Sequence, residues 1–464
     1  MPRATEPDSN MAMSVSVRRR VYSFSQSMAI ATNRLKPTSG AVRSVRPNTN
    51  PNAKKNQPLR TREFPVHIHS IRHSTRIVRS CVALCSLLVT METAIAADWP
   101  QFRGTTGDGH SPAKNLPLNW DATKNVAWKT EVPGKGWSSP ALFKGRLYLT
   151  TAQEVGSDLS LRALCLDAAN GKPLWASEIF LTPPVRHHQK NSQASPTIIA
   201  DGDRLYVHFG HYGTACLDLA GKIIWKQTDL KYSPVHGNGG SPILVGNALI
   251  FSADGQSDPS VIALDKATGK LLWKVKRETT AKKNFSFSTP TLITVNGQAQ
   301  LITPGSGVVC ALDPKTGAEL WRCRYGEGYS VIPKPVLGHG LLFLSSGYDK
   351  PVLHAIRADG KGDVTDTHIA WKLEKGAPHT PSPLLVGNEL YVVSDAGIAS
   401  CLDAKTGQVH WSERVPGNYS ASPIFADGKI WLQNETGIGT VLKPGKTFEK
   451  LAENNLGEKT LASY

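Results

Sequence analysis

The sequence contains no CxxC pair and no CxxCH, so neither a zinc knuckle nor a c-type haem attachment is signalled. The apolar run inside "RIVRSCVALCSLLVTMETAIAA" (76–97) is too short to span a bilayer comfortably. No helical periodicity of useful length appears. A Gly-rich loop with a β3 lysine, HRD and DFG are all missing, which rejects kinase activity. "GNGG" at 237–240 and "GSG" at 305–307 do not join a strand to a helix, so neither is a phosphate loop.

What is present is a globular composition: 464 residues, 40% hydrophobic and 19% charged, with 40 glycines, 31 prolines and 11 tryptophans. Such numbers suggest many turns and large apolar anchors. The net charge of +16 invites a nucleic-acid reading, but its location removes most of that. Residues 1–97 hold fifteen Lys and Arg against four Asp and Glu, so eleven of the sixteen charges sit there and +5 remains for residues 98–464. A mildly basic remainder is weak evidence for an anionic partner, and no nucleic-acid partner is expected.

Residues 1–75 read as a disordered basic leader or a start placed too far upstream. Residues 76–97 have the anatomy of a secretory signal peptide, a positive flank before a short apolar run and a small-residue end. Cleavage near Ala96 or Ala97 would release a soluble exported protein, periplasmic or envelope-associated and monomeric.

Five cysteines follow: Cys165, Cys216, Cys310, Cys323 and Cys401. Three occupy one slot, in "CLD" at 165–167, 216–218 and 401–403, where other units carry Ala263 or Ala311. Cysteine alternating with alanine marks a small buried position rather than a disulfide framework.

That slot belongs to a repeat. Trp128, Trp175, Trp225, Trp273, Trp321, Trp371 and Trp411 recur at spacings of 40 to 50 residues. Most follow segments such as "LDAANGKPLW", "LDKATGKLLW" and "LDAKTGQVHW"; the fifth unit departs, with "IRADGKGDVTDTHIAW". A second register ends at Pro140, Pro196, Pro242, Pro290, Pro335, Pro383 and Pro423. Between the marks, short β-branched or aromatic runs alternate with Gly-containing turns, about four strands in a meander per unit. One such sheet cannot bury both its faces, and repeating it around an axis lets each cover the next. The fold class expected is therefore all-β, a β-propeller of four-stranded antiparallel blades. Aspartate and threonine would hold the turn, glycine would take positive φ, and the tryptophan would wedge against the neighbouring blade.

The Ala/Leu-Asp-x-x-Thr-Gly-Lys-x-x-Trp pattern over about 120–450 resembles the tryptophan-docking motif of the PQQ-like β-propeller repeat family. That family includes quinoprotein alcohol dehydrogenases and the assembly lipoprotein BamB. The opening "DWPQFRG" at 98–104 also resembles exported planctomycete-type members. The resemblance implies eight blades: a segment at 98–124, then a propeller over 125–464 with seven full blades and an incomplete eighth. "NVAWKTEV" (125–132) is expected as an outer strand closing the ring, "TLASY" (460–464) as an eighth blade's start with an exposed edge, and Phe448 in the seventh tryptophan slot.

Function should gather around the proline marks, where inner strands meet the axis. "RHHQKNSQASP", "KYSPVHGNGGSP", "KKNFSFSTP", "YGEGYSVIPKP", "GAPHTPSP" and "GNYSASP" place polar, basic and aromatic groups at comparable positions. The candidate ligand-binding residues are His187, Asn191, Ser192, Tyr232, His236, Asn238, Lys283, Tyr329, Lys334, His379 and Tyr419. Adjacent His187 and His188 would point to opposite sides and cannot easily share a metal, so no metal site and no catalytic residue is assigned.

The resemblance keeps two further readings open. One is a dehydrogenase with PQQ and calcium, for which the quoted loops are poor in acids, Glu327 being their one carboxylate, and which lacks a vicinal cysteine pair. The other is a sensor propeller related to kinase-attached repeats. The reading favoured is a non-catalytic binding or scaffold module that holds a protein, an envelope component or a small polar ligand at the channel mouth.

Overall fold

The computed structural model describes residues 97–464. The leader and signal-peptide expectations fall outside the described residues. Seven four-stranded antiparallel meanders span 141–182, 199–227, 243–276, 291–324, 336–373, 384–414 and 424–455, strands pairing in chain order. They are the seven proline-marked units, and the architecture is a β-propeller. Two sheets gain a short parallel strand: His110–Ser111 inside the seventh and Gly362–Asp363 outside the fourth.

Each blade carries a register shift at the same point of its third strand, such as Cys165/Leu166, Ala263/Leu264 and Cys401/Leu402. The residue before the shift pairs with the tryptophan: Cys165 with Trp175, Cys216 with Trp225, Ala263 with Trp273, Cys401 with Trp411. This accounts for the small slot. A bulky neighbour would push the indole off the sheet, and the bulge re-aims the strand into its turn. All five cysteines are free and buried, and burial raises the thiols of Cys165, Cys216 and Cys401 to about 11.

The aspartate turn behaves as its chemistry dictates. Asp265 Oδ1 accepts Thr268 N (2.8 Å) and Thr268 Oγ1 (2.8 Å), and Gly269 closes the turn at φ +72°. The indole of the preceding blade then lies on that glycine and donates to the turn. Trp128 Nε1 reaches Ala168 O, Trp175 reaches Leu219 O, Trp225 reaches Lys266 O, Trp371 reaches Ala404 O and Trp411 reaches Gly445 O, all at 3.0–3.1 Å. Trp273 and Trp321 are the exceptions: the Trp273 indole lies on Gly317, but its N–H has no acceptor. The divergent fifth unit sends Gly362–Asp363 back along the fourth blade, so Trp321 is fully buried and donates to Gln300 Oε1 of its own sheet.

Apolar clusters fill the six seams between consecutive blades. Between the seventh and first blades lies the segment 98–132 instead of a sheet. Its Leu116, Leu118 and Trp120 cover the seventh blade around Trp431, and Trp99 and Trp128 cover the first. Residues 125–132 enter no ladder, although Asp121 bridges Asn455 and Trp128 docks as the motif requires. The seventh blade's face is thus covered rather than open. The slot expected for Phe448 holds Ala452, paired with Val441; Phe448 packs on Trp411 instead, with ring centroids 5.1 Å apart.

The serine of the proline mark proves to be a clasp. Thr197 N donates to Ser241 Oγ (3.0 Å), Ser241 N to Thr289 Oγ1 (2.9 Å), Lys334 N to Ser382 Oγ (3.0 Å), Ser382 N to Ser422 Oγ (3.0 Å) and Ser422 N to Ser463 Oγ (2.9 Å). Each hydroxyl satisfies a backbone donor of the previous blade, tying the inner strands into a ring. Ser463 of "TLASY" extends that ring beyond the seventh blade.

Candidate functional site

A cavity of about 1110 Å³ lies on the axis, lined by inner-strand residues of the hydroxyl ring and by loops of the second to seventh units. Its floor includes Phe102 from "DWPQFRG". That motif crosses the ring. Trp99 exchanges backbone bonds with Leu142, Pro100 O accepts from Ala200 N, and Phe425 N donates to Gly109 O. The Arg103 guanidinium donates to Pro383 O (2.9 Å) and Pro423 O (3.1 Å). The segment is a plug, and the channel it closes becomes a blind funnel.

Along one wall the rings form a chain from unit to unit. His188 meets His236 (5.3 Å between centroids), His236 meets Phe285 (4.9 Å), Phe285 meets Tyr329 (5.4 Å), Tyr329 meets Tyr348 (5.9 Å) and Tyr348 meets His379 (5.0 Å). Edge-to-face geometry dominates this arc. Lys283 donates to Tyr329 Oη (2.9 Å), lies 4.1 Å from the ring, and is held above the ordinary lysine range mainly by that bond. Desolvation lowers His236 and His379 below the usual histidine range. At the mouth Lys190 spans to Glu435 of the seventh blade (2.8 Å), which also accepts from Ser420 Oγ (2.6 Å).

Of the residues singled out from sequence, Asn191, His236, Lys283, Tyr329 and His379 line the funnel. The others stand elsewhere. His187 turns away from its neighbour His188, its Nδ1 3.1 Å from Gln193 Nε2. Ser192 is buried, its hydroxyl on Ser195 Oγ and Ala194 N. Asn238 is buried, donating to Phe209 O (3.0 Å), and Tyr232 Oη sits 3.3 Å from it in the seam of the second and third blades. Tyr419 is fully buried between the sixth and seventh blades, and Lys334 is buried beside the plug. None of these six lines the cavity. Sequence reasoning passed over Phe285, Phe287, Tyr348, Trp137 and Phe102. The two phenylalanines stood in a quoted loop, whereas Tyr348 lies in a second kind of loop, between the middle strands of the fifth blade.

Among the described residues no cavity hydroxyl or thiol is bonded to a histidine, so no activated nucleophile is assembled. The cavity's carboxylates are Asp349 and Asp395, and Asp395 is engaged: it accepts His379 N (2.8 Å), Thr380 N (3.0 Å) and Thr380 Oγ1 (2.5 Å).

A family model described as outer membrane protein assembly factor BamB matches residues 114–228, 160–348 and 362–446. The chain belongs to this family of PQQ-like β-propellers. It is similar to BamB of Moranella endobia, 26% identical over 53% of this chain and 61% of that one. It is also similar to the lanthanide-dependent methanol dehydrogenase of Methylorubrum extorquens, 31% identical over 36% of this chain and 28% of that one. The curated relatives match over 28% to 61% of their own lengths. Among solved structures, a europium-containing methanol dehydrogenase aligns with a TM-score of 0.56 at 10% identity, over 79% of this chain and 87% of that one, a likeness of fold alone.

A calcium or lanthanide ion takes six or more oxygen ligands, carboxylates chief among them. With one exposed aspartate, a second already accepting three bonds, and no group of three His, Cys, Asp or Glu among the described residues able to hold a metal, this donor set does not fit such an ion.

Proposed function

We propose that the chain is an exported binding module of the cell envelope, whose blind funnel captures a polar or anionic ligand, or a segment of a partner protein. The aromatic arc carries this reading. Six rings contributed by five consecutive loop systems form one surface, with Lys283 on it and Lys190 at the mouth. Rings offer large contact area at low entropy cost, and the ammonium groups add selectivity for acceptors. Rigid blades hold these loops in fixed relation, which suits recognition. Relatives named as outer membrane assembly factors support an envelope setting, and among the described residues no helix is long and apolar enough to cross a membrane.

The second reading is oxidation of alcohols or sugars with PQQ. Relatives named as quinoprotein ethanol dehydrogenase and lanthanide-dependent methanol dehydrogenase favour it, and the donor set of the cavity opposes it. One pair of assays separates the two. Immobilised protein, wild type and a Tyr348→Ala/His379→Ala variant of matched melting temperature, is exposed to envelope extract. In parallel the protein is incubated with PQQ and calcium and assayed for dye-linked oxidation over a panel of alcohols and sugars. Species retained by wild type alone, with no oxidation, support the binding module. Oxidation that the variant loses overturns it in favour of the dehydrogenase.

A further inference from the structure

Two cations are buried beside the plug with too little to neutralise them. Arg103 is 1% exposed and Lys334 is 4% exposed. The Arg103 guanidinium spends its terminal nitrogens on the carbonyls of Asp108 (2.6 Å), Pro383 and Pro423, while its Nε–H, also buried, has no acceptor. Among the described residues the Lys334 ammonium makes no ion pair, although its own backbone N–H is clasped by Ser382. Gly107 makes room for it: a Cβ there would lie 2.3 Å from Lys334 Nζ.

The one carboxylate whose charge reaches both cations is Asp108. It is half-buried, and its Oδ1 is occupied by Thr106 Oγ1 (2.6 Å) and His110 N (3.1 Å). The local account is therefore two positive charges against one negative. A buried ammonium without a counter-charge is costly, as is each buried donor without an acceptor at a smaller scale. The orphan donor is the Arg103 Nε–H, and the uncompensated charge beside it is the Lys334 ammonium, so the missing partner is an acceptor. The charge imbalance is one, so it is monovalent.

We propose that the plug holds a small monovalent anion, of halide or formate size, between the Lys334 ammonium and the Arg103 Nε–H. Such an ion would lock "DWPQFRG" into the inner strands of the fifth to seventh blades, making closure of the channel floor anion-dependent. The site is distinct from the funnel, whose lining includes neither residue.

Burial and the neighbouring Arg103 push the Lys334 ammonium down to about 7, with Asp108 acting the other way. The site is therefore charged below neutrality and fades above it. The test is thermal unfolding of the whole protein at pH 6 and at pH 8.5, in chloride, formate or gluconate at equal ionic strength; gluconate serves as a monoanion too bulky to enter. At pH 6 the wild-type Tm should rise by roughly 2 °C for each tenfold increase of chloride or formate above its Kd. It should not respond to gluconate, and the response should largely vanish at pH 8.5 and in Lys334→Met. Crystals of the wild type in bromide give a second readout that needs no variant, an anomalous peak within hydrogen-bond distance of Lys334 Nζ. Equal Tm in all three salts, or water alone at that position in bromide, would overturn the proposal.

Discussion

Trp371 Nε1 donates to Ala404 O of the next blade at 3.1 Å, and its indole lies so close over Gly407 that an added Cβ would meet the ring at 2.6 Å. Bond and stack together fix the angle between two sheets. The same pairing joins Trp225 to Lys266 and Gly269, and Trp175 to Leu219 and Gly221.

Gly407→Ala should therefore cost much more than an ordinary turn glycine. It combines a positive φ (+75°) with a collision, for a loss of about 2–4 kcal/mol. Gly297→Ala, at φ +79° with nothing within 4 Å, should lose only about 1 kcal/mol. Urea denaturation of both variants checks the difference.

The indole bond has its own control. Trp273 also stacks on a turn glycine, Gly317, but its buried N–H has no acceptor. Trp371→Phe should cost about 1 kcal/mol more than Trp273→Phe, since it alone strands a carbonyl. Equal losses in urea titrations would mean the bond contributes nothing to the seam.

Arg277 and Asp254 form an ion pair at 3.1 Å with side chains 1% and 0% exposed. Arg277 also donates to Thr303 O (2.5 Å), tying the third blade to the fourth. Asp254→Ala leaves a buried guanidinium unpaired and should destabilise by roughly 3–5 kcal/mol. The double change Asp254→Leu/Arg277→Met should recover much of that loss. A double variant as unstable as the single one would contradict this.

His354 predicts how the fold responds to acid. Both its ring nitrogens are buried without partners beside Tyr325, and desolvation lowers it to about 4. The unfolded chain takes up this proton near pH 6.5, whereas the folded chain resists until about 4. Stability is therefore full above pH 6.5 and falls as pH drops to 4, by roughly 3 kcal/mol from this residue. His354→Leu should flatten that part of the pH–stability curve, measured by urea midpoints between pH 4 and 7.

The blades were legible because their chemistry is local. Aspartate, threonine and glycine within five residues make a turn, and the tryptophan four residues beyond that glycine at Gly171 or Gly407 reports the next seam. Phe448 misled because the bulge at Val441/Leu442 shifts the count, putting Ala452 opposite Val441. The site was only half legible. Periodicity places Lys334 and Tyr419 near the proline marks, yet it does not say that the side chain of one meets a plug some 230 residues earlier in the chain, or that the other turns into a seam. Phe102 reaches the axis through that same long-range crossing, which no local pattern announces.

The most direct test of the funnel is footprinting of histidines by diethyl pyrocarbonate, with and without the species that immobilised protein retains from envelope extract. Binding along the aromatic arc predicts that His188 and His236 lose reactivity when that species is present, while exposed His339, hydrogen-bonded to Gly387 O outside the funnel, stays reactive. Unchanged reactivity at His188 and His236, or equal protection of His339, would contradict the account.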